Sequence, residues 1–86
     1  MEITIDLHGY TVNEAKREIE RTIAKAGKDV TDIILIHGYH RGDALKEFVR
    51  SPNGIRSKRI NRRKYTMNQG QTIIELIWGE VWIIIK

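Results

Sequence analysis

An alternating strand, a capped amphipathic helix and a continuous aliphatic run follow one another along residues 3–36, and that order most restricts how the chain can fold. Ile3, Ile5 and Leu7 alternate with Thr4, Asp6 and His8, the period-two pattern of a strand with one buried face. Thr11-Val12-Asn13-Glu14 reads as a capping box, in which the Thr11 hydroxyl accepts from a helix amide and Glu14 reaches back. Val12, Ala15, Ile19, Ile23 and Ala26 recur at three- and four-residue steps, which predicts a helix stopping at Gly27. Ile33-Ile34-Leu35-Ile36 is then the kind of run carried by a central strand covered on both faces. Strand, helix and strand in that order make a right-handed parallel crossover, so both strands end on one edge of the sheet.

That edge gathers the residues with the most chemistry. All three histidines of the chain lie in Asp6-Leu7-His8-Gly9, at the end of the first strand, and in His37-Gly38-Tyr39-His40-Arg41-Gly42, after the second. Asp6 and His8 share one strand face, and the crossover brings His37 to the same edge. Further along, a second helix is expected from near Gly42-Asp43, carrying Leu45, Phe48 and Val49 inward until Ser51-Pro52-Asn53-Gly54 ends it. Residues 57–67 read as an extended arm or strand, residues 71–78 as another strand, and Gly79-Glu80 as the turn into a C-terminal hairpin strand within residues 76–86. Trp78 and Trp82 flank that turn and are expected to pack as a pair.

Eighty-six residues are room for one domain with a modest core, and residues 1–86 are read as one. The absence of cysteine excludes disulfides and thiolate metal cages and agrees with a reducing cytoplasm. Residues 81–85, the richest apolar stretch, are far too short to span a bilayer, and the start of the chain lacks the basic and apolar regions of a signal peptide, so no membrane is expected. The net charge of +4 is unevenly spread. Arg56, Lys58, Arg59, Arg62, Arg63 and Lys64 crowd together, and no acidic residue occurs from Phe48 through Ile74. Removing those six from the fifteen cations leaves nine against eleven acidic residues, so the remainder is slightly acidic. A cationic stripe on such a background predicts a polyanionic partner, because Lys and Arg held against phosphates release condensed counterions.

Taken together, Asp6-Leu7-His8-Gly9 with Glu14-Ala15, Ile36-His37-Gly38 with Leu45-Lys46, and the closing Asn68-Gln69-Gly70-Gln71-Thr72-Ile73-Ile74-Glu75-Leu76 resemble the Smr, or small MutS-related, domain family, here as a stand-alone member. The resemblance runs over about residues 5 to 76 in the family's order. It implies a two-layer α/β sandwich with a mixed sheet of βαβαββ type and two helices, like the C-terminal domain of a bacterial translation initiation factor. It also implies nucleic-acid binding and, as in several members, endonuclease activity on DNA or RNA. One departure falls in the second loop: the family carries a short Gly-x-Gly there, whereas Tyr39-His40-Arg41 separate Gly38 from Gly42.

The residues suggest how phosphodiester cleavage would proceed. A histidine near its ordinary pKa of about 6.5 exchanges protons at neutral pH, and a neighbouring carboxylate fixes its tautomer. Asp6 is expected to orient His8, with His8 and His37 sharing acid and base roles. The Gly38-Tyr39-His40-Arg41-Gly42 loop is expected to hold the phosphate through backbone amides and Arg41, while the basic stripe tracks the nucleic-acid backbone. RNA, which carries its own 2′-hydroxyl nucleophile, suits this chemistry without a cofactor. Cleavage of DNA would call for a divalent metal, although Asp6, His8 and His37 fit no strong ligand spacing. The alternatives are a DNA-nicking nuclease, a non-catalytic RNA or ribosome binding module, and a protein interaction domain; a monomer is expected, with a dimer through the C-terminal hairpin as the other case. Tyr39 and Tyr65 are candidates for stacking on unpaired bases. Each residue also has a plainer use: Asp6-x-His8 as a loop brace, His37 as a satisfied strand end, the glycines for turns alone, and the two tyrosines as core or rim packing.

Overall fold

The computed structural model describes residues 1–38, 44–51, 54–55 and 57–77. Its elements are β1 (Glu2–Asp6), α1 (Val12–Lys25), β2 (Asp32–Ile36), α2 (Ala44–Arg50), β3 (Ile60–Tyr65) and β4 (Gln71–Leu76), in βαβαββ order. The strands form one sheet ordered β1-β2-β4-β3, with β1 parallel to β2 and the other two pairings antiparallel. β1 and β2 are therefore parallel, as expected from the first 36 residues, with Asp6 level with Ile36.

Alternation sorts the sheet into two unlike faces. Ile5, Leu7, Ile33, Leu35, Ile74 and Leu76 are buried and join Ala15, Ile19 and Ile23 of α1 and Val49 of α2 in one cluster. Burying a Leu or Ile side chain contributes about 1.5–3 kcal/mol, so this single cluster is the main source of stability. The opposite face carries Thr4, Ile34, Ile36, Ile73, Arg62 and Lys64, none of them fully buried. The aliphatic run of β2 is thus covered completely on one face and only half-buried on the other, a correction to the reading of it as covered on both. Its hydrophobic outer positions are explained by cross-strand contact, since Ile34 pairs with Ile73.

The helix ends show how local sequence and distant residues divide the work. At the start of α1 the capping box is complete: Glu14 N–H donates to Thr11 Oγ1 at 3.1 Å and Thr11 N–H to Glu14 Oε1 at 2.9 Å. At the other end α1 stops at Lys25, two residues before the expected Gly27, with Ala26 extended as its cap. Arg59 explains the stop, because its Nη1 donates to the carbonyls of Ile23 and Ala26, both at 2.7 Å. Arg63 does the same for α2, donating from Nε to Val49 and from Nη2 to the Ile55 carbonyl, both at 2.8 Å. These guanidinium groups add donors to carbonyls at the two helix ends, where Ile23 also accepts from the Ala26 N–H at 3.3 Å, and complement the negative ends of the helix dipoles.

The remaining boundaries narrow what periodicity suggested. The strand expected over residues 57–67 spans Ile60–Tyr65, with a register shift between Ile60 and Arg62, and the next ends at Leu76, two residues short of Trp78. Helix α2 is described from Ala44, and its expected start at Gly42-Asp43 lies outside the described residues, as does the C-terminal hairpin with Trp78 and Trp82.

Candidate functional site

Three sequence segments meet at the edge where β1 and β2 end. Leu7 N–H donates to the Ile36 carbonyl at 2.8 Å, which sets Asp6-Leu7-His8-Gly9 beside the exit of β2. The amides of His37 and Gly38 both donate to the Gly70 carbonyl, at 2.9 and 3.0 Å, and so join the turn between β3 and β4 to that exit. This turn is braced from within, with Gly70 N–H donating to Asn68 Oδ1 at 2.8 Å and Asn68 N–H to Thr66 Oγ1 at 3.1 Å.

Each parallel strand ends in His-Gly, and both glycines are left-handed: φ is +83° at Gly9 and +76° at Gly38. A Cβ at either position would meet nothing within 4 Å, so backbone conformation rather than space demands glycine there.

His37 is enclosed. It is 9 % exposed, and its Nδ1 lies 2.8 Å from the Gly38 carbonyl while its Nε2 lies 2.8 Å from Thr72 Oγ1. A carbonyl only accepts, so Nδ1 carries a proton; in the neutral ring Nε2 must then accept from the Thr72 hydroxyl. That hydroxyl accepts in turn from Arg50 Nε at 2.8 Å, and Arg50 Nη2 donates to the Gln71 carbonyl at 3.0 Å. Burial holds the His37 pKa below its ordinary 6.5, and the positive charges of Arg50 and Lys46 add to the shift against an opposing bond to Gly38. The ring is therefore neutral at pH 7, with both nitrogens bonded inside the fold.

Asp6 and His8 lie in the open. Both are exposed, and Asp6 Oδ1 accepts from the backbone N–H of His8 at 2.9 Å. The carboxylate thus braces the turn that carries His8, rather than bonding its imidazole. By ladder register Asp6 shares the face of Ile36, whereas His37 continues the buried alternation of Ile33 and Leu35. The two histidines share an edge of the sheet but differ in access to solvent, since His8 lies in the turn after β1 while His37 is buried. His8 borders a cleft of about 430 Å³ formed with Gly9, Tyr10 and, from α1, Glu14, Arg17, Glu18 and Arg21. Within it Glu14 is engaged in the cap and Glu18 is paired with Arg21.

The basic segment divides between two internal tasks. Arg59 and Arg63 cap helix ends, as described above. On the other face Lys64 Nζ lies 3.1 Å from Asp32 Oδ1 and 3.4 Å from Glu75 Oε2, and Arg62 Nε lies 3.2 Å from Glu75 Oε1. Burial pushes the Asp32 carboxyl up, but Lys64 and the Thr31 hydroxyl outweigh it and leave the pKa below 3.8. An Asn61 hydrogen bond, opposed by burial and helped by Arg62 and Lys64, holds Glu75 below 4.5. The Asp32 bond and the Glu75 charge raise Lys64 above 10.5. Lys58 is exposed, and Arg56 lies outside the described residues.

The expected phosphate loop is described only at Gly38, since Tyr39, His40, Arg41 and Gly42 lie outside the described residues. Among the described residues no three His, Asp or Glu side chains gather as metal ligands, and no helix is long and apolar enough to cross a membrane. Sequence reasoning missed Thr72 as the partner of His37 and Arg50 as the donor to Thr72. One signal was available: Thr72 is a polar residue at an inward position of the Thr72, Ile74, Leu76 alternation.

Residues 5–76 match the Smr domain. The chain belongs to the Smr domain family. The match covers every segment that meets at the site edge, from Asp6 to the Asn68-Gln69-Gly70 turn, and ends at the last residue of β4. No curated protein and no solved structure matches the chain.

Proposed function

We propose that this Smr domain is a nucleic-acid endonuclease acting on RNA in the cytoplasm. The observation that carries the reading is the meeting of Asp6-Leu7-His8-Gly9, His37-Gly38 and Asn68-Gln69-Gly70 at one sheet edge within a chain that belongs to a nuclease-associated family. His8 is the proton-transfer group, since it is exposed and borders a cleft large enough for a phosphodiester. Asp6 sets the turn that presents His8. His37 acts from behind, its Nδ1–H holding the Gly38 carbonyl at the start of the loop from Gly38 to Gly42, which binds the phosphate. Arg17, exposed on the same cleft, and Lys58 contact the strand beyond the reacting phosphate.

Single-turnover incubation with end-labelled single-stranded RNA and matching DNA, with and without EDTA, tests this. RNA cleavage that survives EDTA and disappears in a folded Asp6→Ala, His8→Ala double variant is the expected result. Cleavage unchanged in that variant would remove the assigned chemistry. DNA cleavage abolished by EDTA would instead indicate a metal-dependent nicking enzyme.

A second reading has its own support. Both nitrogens of His37 are bonded internally, and Asp6 bonds an amide rather than an imidazole. Such an edge suits a non-catalytic RNA or ribosome binding module. Salt-sensitive binding of RNA without turnover would select it.

A further inference from the structure

Tyr65 ends β3 at the same edge, on the sheet face that the helices cover, because it pairs with the buried Thr72. Its ring lies beyond the reach of the core and is 58 % exposed. The Arg50 guanidinium sits over one face of the ring, 4.4 Å from its centroid. That guanidinium is itself fixed by the bonds to Thr72 Oγ1 and the Gln71 carbonyl. An aromatic ring is thus clamped from one side by a pinned cation and left largely in water. Next to it the turn bearing Met67, which is 101 % exposed, offers a polarizable thioether with no packing role.

We infer that Tyr65, clamped by Arg50, is a stacking seat for an unpaired base, and that it makes single-stranded RNA the preferred ligand over duplex. The inference rests on the proposed nucleic-acid reading and deepens it. A base within a duplex has both faces covered by its neighbours, whereas a splayed base presents a free π-face to an aromatic side chain. The ring's orientation is set before the ligand arrives, so stacking on it costs little conformational entropy. In the strand order β1-β2-β4-β3, the seat lies three strand spacings, or roughly 14 Å, along the edge from Asp6, which belongs to the other face of the sheet. A strand lying along that edge would therefore place the seated base a few nucleotides from the phosphate at His8 and set the register of cleavage.

Fluorescence anisotropy with labelled RNA in three forms tests this: an unpaired strand, its duplex, and the unpaired strand with abasic sites. The wild-type protein is expected to bind the intact unpaired strand more tightly than either of the others. Tyr65→Phe should retain that preference. Tyr65→Leu, which keeps an apolar cover over Arg50, should weaken the intact unpaired strand about 5- to 100-fold and leave duplex and abasic strands unchanged. Equal binding of intact and abasic strands by the wild-type protein, a comparison that needs no variant, would overturn the inference while leaving nucleic-acid binding in place. Failure of the wild-type protein to bind any of the three would overturn the nucleic-acid reading and the stacking seat with it.

Discussion

His8 and His37 each close a parallel strand, each precede a left-handed glycine, and are handled by the fold in opposite ways. His8 stands in solvent beside a cleft with its backbone amide braced by Asp6, whereas His37 is sealed between the sheet and α2 with a partner on each nitrogen. The difference shows that an imidazole after a strand end is left in solvent or enclosed according to the local backbone that carries it. His37 still follows the inward alternation of β2, whereas His8 is carried on the turn that follows β1.

Substitution at His8 and at His37 should separate the two roles most clearly. His8→Ala is expected to lower single-turnover RNA cleavage about 10²- to 10⁴-fold. Its unfolding free energy should stay within about 0.5 kcal/mol of wild type, as for an exposed side chain. His37→Ala should do the reverse in the first instance, costing about 1–3 kcal/mol in denaturant unfolding because it strips partners from buried Thr72 and the Gly38 carbonyl. A His37→Ala protein as stable as wild type would break the contrast.

The glycines should behave alike where the histidines differ. Gly9→Ala and Gly38→Ala are each expected to cost about 1–2 kcal/mol, since an L side chain resists the left-handed region and no clash adds to the penalty. A much larger cost at one of them would mean that its neighbourhood closes in ways its free space does not suggest.

Acid should sharpen the comparison further, with a smaller effect. The unfolded chain protonates His37 near 6.5, while the fold resists protonation until a lower pH. The stability associated with its neutral form is complete above about 6.5 and declines as pH falls through the folded value. Asp32 and Glu75 add a separate loss that begins only below their ordinary 3.8 and 4.5. Urea unfolding from pH 7.5 to 5 should show a decline in wild type that His8→Ala retains and His37→Ala lacks.

Much of the frame was legible because local chemistry dictates it. The alternation of Ile3, Ile5 and Leu7, the Thr11–Glu14 box and the helical spacing of Ala15, Ile19 and Ile23 need no distant partner, and each appears as expected. At the end of α1, close to the expected stop at Gly27, the carbonyls of Ile23 and Ala26 are held by Arg59, which the local sequence does not show. The internal partners of the basic segment were hidden in the same way. A run of cations without acidic neighbours in sequence finds helix carbonyls, Asp32 and Glu75 in space. Asp6 and His8 stand at the sheet edge that their position in sequence implied, but Asp6 bonds the His8 amide and not its imidazole. The Arg50–Thr72–His37 chain was not legible, because it is assembled from a helix end, a strand interior and a strand exit that are remote in sequence.

The hold of Arg59 on the carbonyls of Ile23 and Ala26 has a consequence for the order of assembly. As the chain leaves the ribosome, the first strand–helix–strand unit is complete before residue 59 exists outside the tunnel. Until then the last turn of α1 has no guanidinium to accept from, and water must serve its carbonyls. The helix should therefore fray at that end during synthesis and lock only when the β3–β4 hairpin docks. In pulsed hydrogen exchange on stalled nascent chains, the amides of its final turn would be the late-protected ones.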